Sequence, residues 1–209
     1  MDLIIEVAKR LERKYGKLRW KRHGEPLDVL IGAILSQNTS DTNSSKAYAN
    51  LKRKYSYKDI IDANEDEIAK TIKVGGLHKQ KAKRIKQILK EIYNFDLNQL
   101  EHMEIEEALR ELIKFKGVGK KTAAVVLLFG LRKPYFPVDT HISRISRRLG
   151  IIEDKDKDPH TRLNKLIPDE LKYQLHLHLI RYGREICRSR RPLCKDCVIS
   201  DLCRFKKEG

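Results

Sequence analysis

The chain is poor in aromatic residues, which make up 7% of its 209 positions and include one tryptophan. It has no cysteine before residue 187, and its acids are outnumbered by its bases, 29 against 45. It also lacks a long apolar run, the longest stretch being Ala123 to Gly130. That stretch is far too short to cross a bilayer as a helix, so a membrane partner is not expected. The first residues, Met1-Asp2-Leu3-Ile4-Ile5-Glu6, carry acids where a secretion signal needs bases, so no such signal is expected. A secreted disulfide scaffold would spread its cysteines along the chain, whereas these four fall in the last part. The expected setting is therefore intracellular, cytoplasmic and reducing.

What remains is a basic chain that can fold. Apolar residues are 40% of the total and the net charge is +16. A disordered basic tail would be poorer in apolar residues, and 209 residues can bury a core without covalent staples. A folded body with this surplus most naturally meets a polyanion, nucleic acid before membrane.

Apolar spacing is helical almost throughout. Ile4, Val7, Ala8 and Leu11 form one stripe, and Leu27 to Leu35 reads as a central buried helix. Asp41 reads as the N-cap of a helix to Tyr55, and Asn64 opens a shorter one. Lys79 to Tyr93 places Ala82, Ile85, Ile88, Leu89 and Ile92 on one side and lysines on the other. Further helices are expected over Ile105–Phe115, Lys121–Phe129, Asp139–Leu149 and Asp169–Ile186. The run Asp154 to Asp158 reads as a solvated loop, and Trp20 as packing for the N-terminal helix. The expected fold class is all-α.

Residues 112–127 read LIKFKGVGKKTAAVVL. Gly117 and Gly119 flank Val118 between two helical segments, a helix-hairpin-helix pattern. Glycines there permit a tight turn and let a phosphate approach the backbone. The N–H groups opening the second helix, with Lys120 and Lys121, then face an anion. Lys121 stands two residues past the second glycine. Lys120 and the positive helix end would both disfavour its charged form, and a neutral amine can form a Schiff base. By itself the feature fits one more phosphate-binding lysine better than a nucleophile. Asp139, in Pro137-Val138-Asp139-Thr140-His141, reads first as a helix N-cap, a role that would also hold its carboxylate in a fixed place.

Cys187, Cys194, Cys197 and Cys203 are spaced C-x6-C-x2-C-x5-C. Four thiolates so close together suit one metal centre, and zinc or iron–sulfur would each fit four sulfurs. A zinc ribbon would need two short gaps, and here only one gap is that short.

Taken together, LIKFKGVGKKTAAVV, FPVDTHISRISRRLG and the cysteine spacing resemble the endonuclease III branch of the helix-hairpin-helix DNA glycosylases. The resemblance runs from about Leu27 to Cys203. It implies a [4Fe–4S] cluster on Cys187, Cys194, Cys197 and Cys203. It also implies two helical domains, residues 23–134 and residues 1–22 with 135–209, with duplex DNA in the groove between them and the target nucleotide flipped out. Lys121 matches the nucleophile that attacks the sugar, and Asp139 the aspartate that assists base departure. Gln37 matches the residue that fills the gap left by the flipped base, and Leu77 the wedge in the opposite strand. Gly117, Val118, Gly119 and Lys120 match the phosphate grip. His141 matches a family histidine, for which a structural hydrogen bond is expected.

The activity so implied is that of a bifunctional glycosylase/lyase removing oxidised pyrimidines from double-stranded DNA. A monomer is expected, because one groove serves one lesion. The hairpin of this family usually opens Leu-Pro-Gly, and Lys116 replaces that proline with a less rigid residue. The adenine and thymine mismatch glycosylases carry another residue where Lys121 stands, and the extra C-terminal domain of the adenine enzymes is not expected. A same-fold glycosylase for alkylated or deaminated bases, and a non-catalytic iron–sulfur DNA-binding module, are the rival readings.

Overall fold

The computed structural model describes residues 3–207, which form helices and turns with no strand among them. No described helix is long and apolar enough to cross a membrane. The chain divides into two units, Arg22–Lys133 and the segments flanking it.

Helix α1 (Leu3–Tyr15) belongs to the flanking segments and buries Ile4, Val7, Ala8 and Leu11 on one face. The Arg22–Lys133 unit begins with α2 (Pro26–Leu35), whose Pro26 suits a first helical turn because its missing N–H would have no partner there. Leu30, Ile31, Ile34 and Leu35 are fully buried, so α2 is the axis of this unit. At roughly 1.5–3 kcal/mol for each large apolar side chain removed from water, this helix anchors the unit's core.

Around it lie α3 (Asp41–Lys54), α4 (Tyr57–Asp62), α5 (Glu65–Thr71), α6 (His78–Ile92), α7 (Ile105–Lys114) and α8 (Lys120–Val125). Leu51, Ile60, Ile68, Ile85, Ile88 and Leu112 face the same core. The helical backbone of α8 widens into a π turn over Val126–Gly130, closed by the Leu131 N–H donating to the Val126 carbonyl at 3.0 Å.

Two local readings of the sequence are revised by the structure. The N-cap of α3 is Ser40, whose hydroxyl accepts the Asn43 N–H at 3.3 Å. Asp41 instead lies in the first turn, where its charge complements the helix dipole. Asp169 opens its helix as expected, with Pro168 before it, and pairs with Lys172 at 2.7 Å. The Asp154–Asp158 run is not all solvated loop, because Asp158 caps the helix Pro159–Leu166 by accepting the Thr161 N–H at 3.2 Å. Asn64 caps α5 as expected, accepting the Asp66 N–H at 2.8 Å.

The flanking segments build the other core from α1, α9 (Thr140–Arg148), α10 (Pro159–Leu166) and α11 (Asp169–Glu185), followed by the cysteine segment and the short α12 (Arg204–Lys207). Leu11, Phe136, Ile142, Ile145, Leu163, Tyr182 and Ile199 meet there. Trp20 stacks on Tyr173 of α11, with ring centroids 6.0 Å apart.

Candidate nucleic-acid interface

The glycine hairpin joins α7 to α8. Gly117 has φ +91°, a conformation that side chains disfavour, while Gly119 is the N-cap of α8 with extended backbone. Val118 between them is buried, so only its backbone can face a ligand. Gly119 supplies no capping side chain, which suits a helix start that meets an anion. The loss of proline at Lys116 is offset, because the Lys116 N–H donates to Glu91 Oε2 at 2.8 Å. A proline has no N–H to make that bond, so α6 braces the turn instead. Phe115 adds an edge-on contact to Phe95 with centroids 5.4 Å apart.

Lys121 lies exposed in the first turn of α8, next to Lys120. Asp139 belongs to the other unit, half-buried at the N-cap of α9, where its Oδ1 accepts the Ile142 N–H at 2.8 Å. His141 follows in α9. Its Nδ1 lies 3.1 Å from Arg144 Nη2, and Arg144 also donates to the Gly183 and Cys187 carbonyls at 2.9 and 2.8 Å. Its contacts are thus those of a helix-to-helix tie.

Gln37 and Leu77 sit on two loops of the Arg22–Lys133 unit, and each loop carries a left-handed residue. Asn38 has φ +52° and Leu77 has φ +48°, at the start of α6. A non-glycine residue in this region costs roughly 1–2 kcal/mol. Leu77 is also 48% exposed, so the strain presents an apolar side chain to solvent rather than hiding it. Strain and exposure together are hard to reconcile with a leucine whose task is core packing.

Sequence reasoning missed Arg84. Its Nη1 donates to Gln37 Oε1 at 2.6 Å, and its side chain lies against Gly117, where an added Cβ would come within 3.2 Å of Arg84 Cδ. One α6 residue therefore joins the Gln37 loop to the hairpin.

None of the four cysteines is in a disulfide, and each is half-buried. Among the described residues no group of three or more His, Cys, Asp or Glu side chains is gathered to hold a metal ion. The donors around the sulfurs nonetheless suit thiolates. Arg148 Nη1 donates to Cys187 Sγ at 3.2 Å, and the Tyr182 hydroxyl donates to Cys197 Sγ at 3.0 Å. Burial pushes the Cys187 thiol up, and Arg148 opposes it. Arg148 also binds the Arg188 and Ser189 carbonyls at 2.7 and 3.1 Å, which orders the loop after Cys187. Donors on two of the four sulfurs, Cys187 and Cys197, suit thiolate ligands of one centre.

A helical fold bearing a glycine hairpin with two basic residues, two strained loops beside it and a C-terminal cysteine set defines a DNA-repair architecture. Residues 31–169 match the HhH-GPD superfamily of base excision DNA repair proteins, and the chain belongs to that family. It is 34% identical over 209 residues to endonuclease III of Thermotoga maritima, covering 98% of this chain and 92% of that protein. A trapped endonuclease III–DNA covalent intermediate superposes with a TM-score of 0.84 at 29% identity, covering 98% of this chain and 96% of the other. A thermostable thymine-DNA glycosylase gives a TM-score of 0.81 at 25% identity, covering 100% and 98% of the two chains.

Proposed function

We propose that this base-excision-repair DNA glycosylase/lyase removes oxidised pyrimidines from duplex DNA and cuts the strand 3′ to the site. The observation that carries the reading is Lys121, exposed in the first turn of the helix that follows the glycine hairpin. Its amine nitrogen attacks C1′ of the flipped nucleotide, and the bond from C1′ to the base breaks with its electron pair leaving on the base. Asp139 assists that departure and balances the positive charge developing on the sugar. Opening of the sugar ring gives a Schiff base on Lys121. Loss of a C2′ proton then expels the 3′ phosphate by β-elimination.

Backbone groups of Gly117, Val118 and Gly119, together with Lys120, hold a phosphate and set the register of the duplex. Gln37 fills the vacated base position and Leu77 parts the opposite strand. Cys187, Cys194, Cys197 and Cys203 would hold a [4Fe–4S] cluster, whose contribution when bound is to cross-link the C-terminal loop. The covalent capture of an endonuclease III on DNA supports the Lys121 chemistry. The likeness to a thymine-DNA glycosylase supports a second reading, excision of a mispaired thymine.

The test is borohydride trapping on duplexes carrying thymine glycol, a thymine opposite guanine, or an abasic site, with Lys121→Ala beside the parent. A thymine glycol adduct that disappears in the variant is the expected result. Excision of mispaired thymine without any adduct would favour the second reading, and no excision or adduct on any duplex would overturn both.

A further inference from the structure

Helix α6 carries a charge where its apolar stripe requires a core residue. Ala82, Ile85, Ile88, Leu89 and Ile92 form that stripe, and Lys81 lies on the same side, four residues ahead of Ile85. Its lysine neighbours Lys79 and Lys83 are exposed, but Lys81 is only 3% exposed. The sequence reading groups it with the solvated lysines, and the structure puts it inside. A buried ammonium is costly unless its hydrogens are taken up. Here Nζ donates to the Leu35 carbonyl at 2.8 Å and to the Gly75 carbonyl at 2.7 Å.

Those two carbonyls are two residues upstream of Gln37 and Leu77 respectively. Each loop then passes through a left-handed residue, Asn38 in one and Leu77 in the other. Strained conformations persist only where their surroundings over-determine them. One turn further along α6, Arg84 holds the Gln37 side chain and lies against Gly117.

We infer that Lys81 and Arg84 form a strut on α6 that fixes the Gln37 and Leu77 loops and the hairpin in one register. Both are positioning residues that let the two loops enter a duplex as a pair. The inference rests on the proposed roles of Gln37 and Leu77. It concerns the opening of duplex DNA rather than the chemistry at C1′, because the strut touches neither Lys121 nor the reacting sugar in this reading. Burial also lowers the affinity of Lys81 for its proton, consistent with a site that retains the ammonium only through the two carbonyls.

The experiment compares the full-length parent with Lys81→Met, Lys81→Arg and Arg84→Met. The readout is the ratio of lesion excision from a thymine glycol duplex to cleavage of a single-stranded abasic oligonucleotide. A 2-aminopurine opposite the lesion reports unstacking of the opposite strand. Lys81→Met and Arg84→Met are expected to lower the ratio roughly 10- to 100-fold and to reduce the fluorescence rise, with partial recovery in Lys81→Arg. A ratio at the parent value in Arg84→Met, and in a Lys81→Met that retains single-strand cleavage, would overturn the inference. Should Lys81→Met lose single-strand cleavage as well, Arg84→Met decides by the same ratio. Gln37→Ala and Leu77→Ala separate the two levels. If they lower the ratio and the strut variants do not, only the strut fails. If they leave it unchanged, the wedge roles fail and the strut falls with them.

Discussion

The Asp139 carboxylate accepts the backbone N–H of Ile142 at 2.8 Å, so the carboxylate proposed to act on the sugar is also the cap of α9. Asparagine caps helices as well as aspartate but carries no charge. Asp139→Asn should therefore keep the parent's thermal stability while base excision falls steeply. Asp139→Ala should lose the cap too, at a cost of about 1 kcal/mol. Paired unfolding curves and single-turnover excision rates check this, and an asparagine variant with parental excision would confine Asp139 to capping.

Gly183 lies in the last turn of α11, within helical backbone, and its replacement should have the opposite of the usual sign. Such a change normally favours a helix by roughly 0.5–1 kcal/mol. Here an added Cβ would lie 2.8 Å from His141 Cβ and 2.9 Å from His141 Nδ1. Neither atom is the far end of a flexible side chain, so α9 and α11 must separate. Gly183→Ala should destabilise by roughly 1–3 kcal/mol in chemical denaturation, the range for overpacking.

His178 is 2% exposed, and neither ring nitrogen makes a hydrogen bond of good geometry among the described residues, although the Gly16 backbone lies near enough to favour the charged ring. Burial lowers its proton affinity below the ordinary value of 6.5, while the Gly16 backbone and Glu12 oppose this and Arg181 adds to it. Tyr15 packs against the ring with centroids 5.6 Å apart. The unfolded chain therefore binds this proton at a higher pH than the folded chain does. Stability from the neutral ring is complete above 6.5 and is lost as the pH falls below it toward the folded value. Melting temperatures between pH 8 and pH 5 should fall less steeply in His178→Phe than in the parent, and parallel slopes would count against the assignment.

The cysteine set has a direct chemical readout. Anaerobically purified protein should absorb in the visible and contain about four iron atoms per chain. Cys194→Ala should bleach it and lower its iron content. Colourless, zinc-containing protein with full excision activity would replace the cluster with a zinc site.

Much of this was legible in one dimension because the signals are local. A glycine pair needs only its own backbone freedom, which is why the hairpin could be placed from residues 112–127 and is found between α7 and α8. Helical periodicity is equally local, so the all-α class followed from the spacing of apolar residues. Asp139 and Asn64 were readable as caps because a cap reaches only three residues ahead. At Ser40 and Asp41 two adjacent capping residues compete, and only the backbone decides between them.

The parts that required three dimensions are contacts between residues distant in the chain. Lys81 looks like one lysine among many until the carbonyls of Leu35 and Gly75 are found on its Nζ. Arg84 meets Gln37 across 47 positions, and Glu91 replaces a proline's rigidity from another helix. Trp20 meets Tyr173 from far along the chain. Periodicity states which face of a helix is buried, but not which carbonyl or ring will be waiting there. The strained loops at Asn38 and Leu77 likewise leave no mark in composition, because left-handed backbone at a non-glycine residue is imposed by its surroundings.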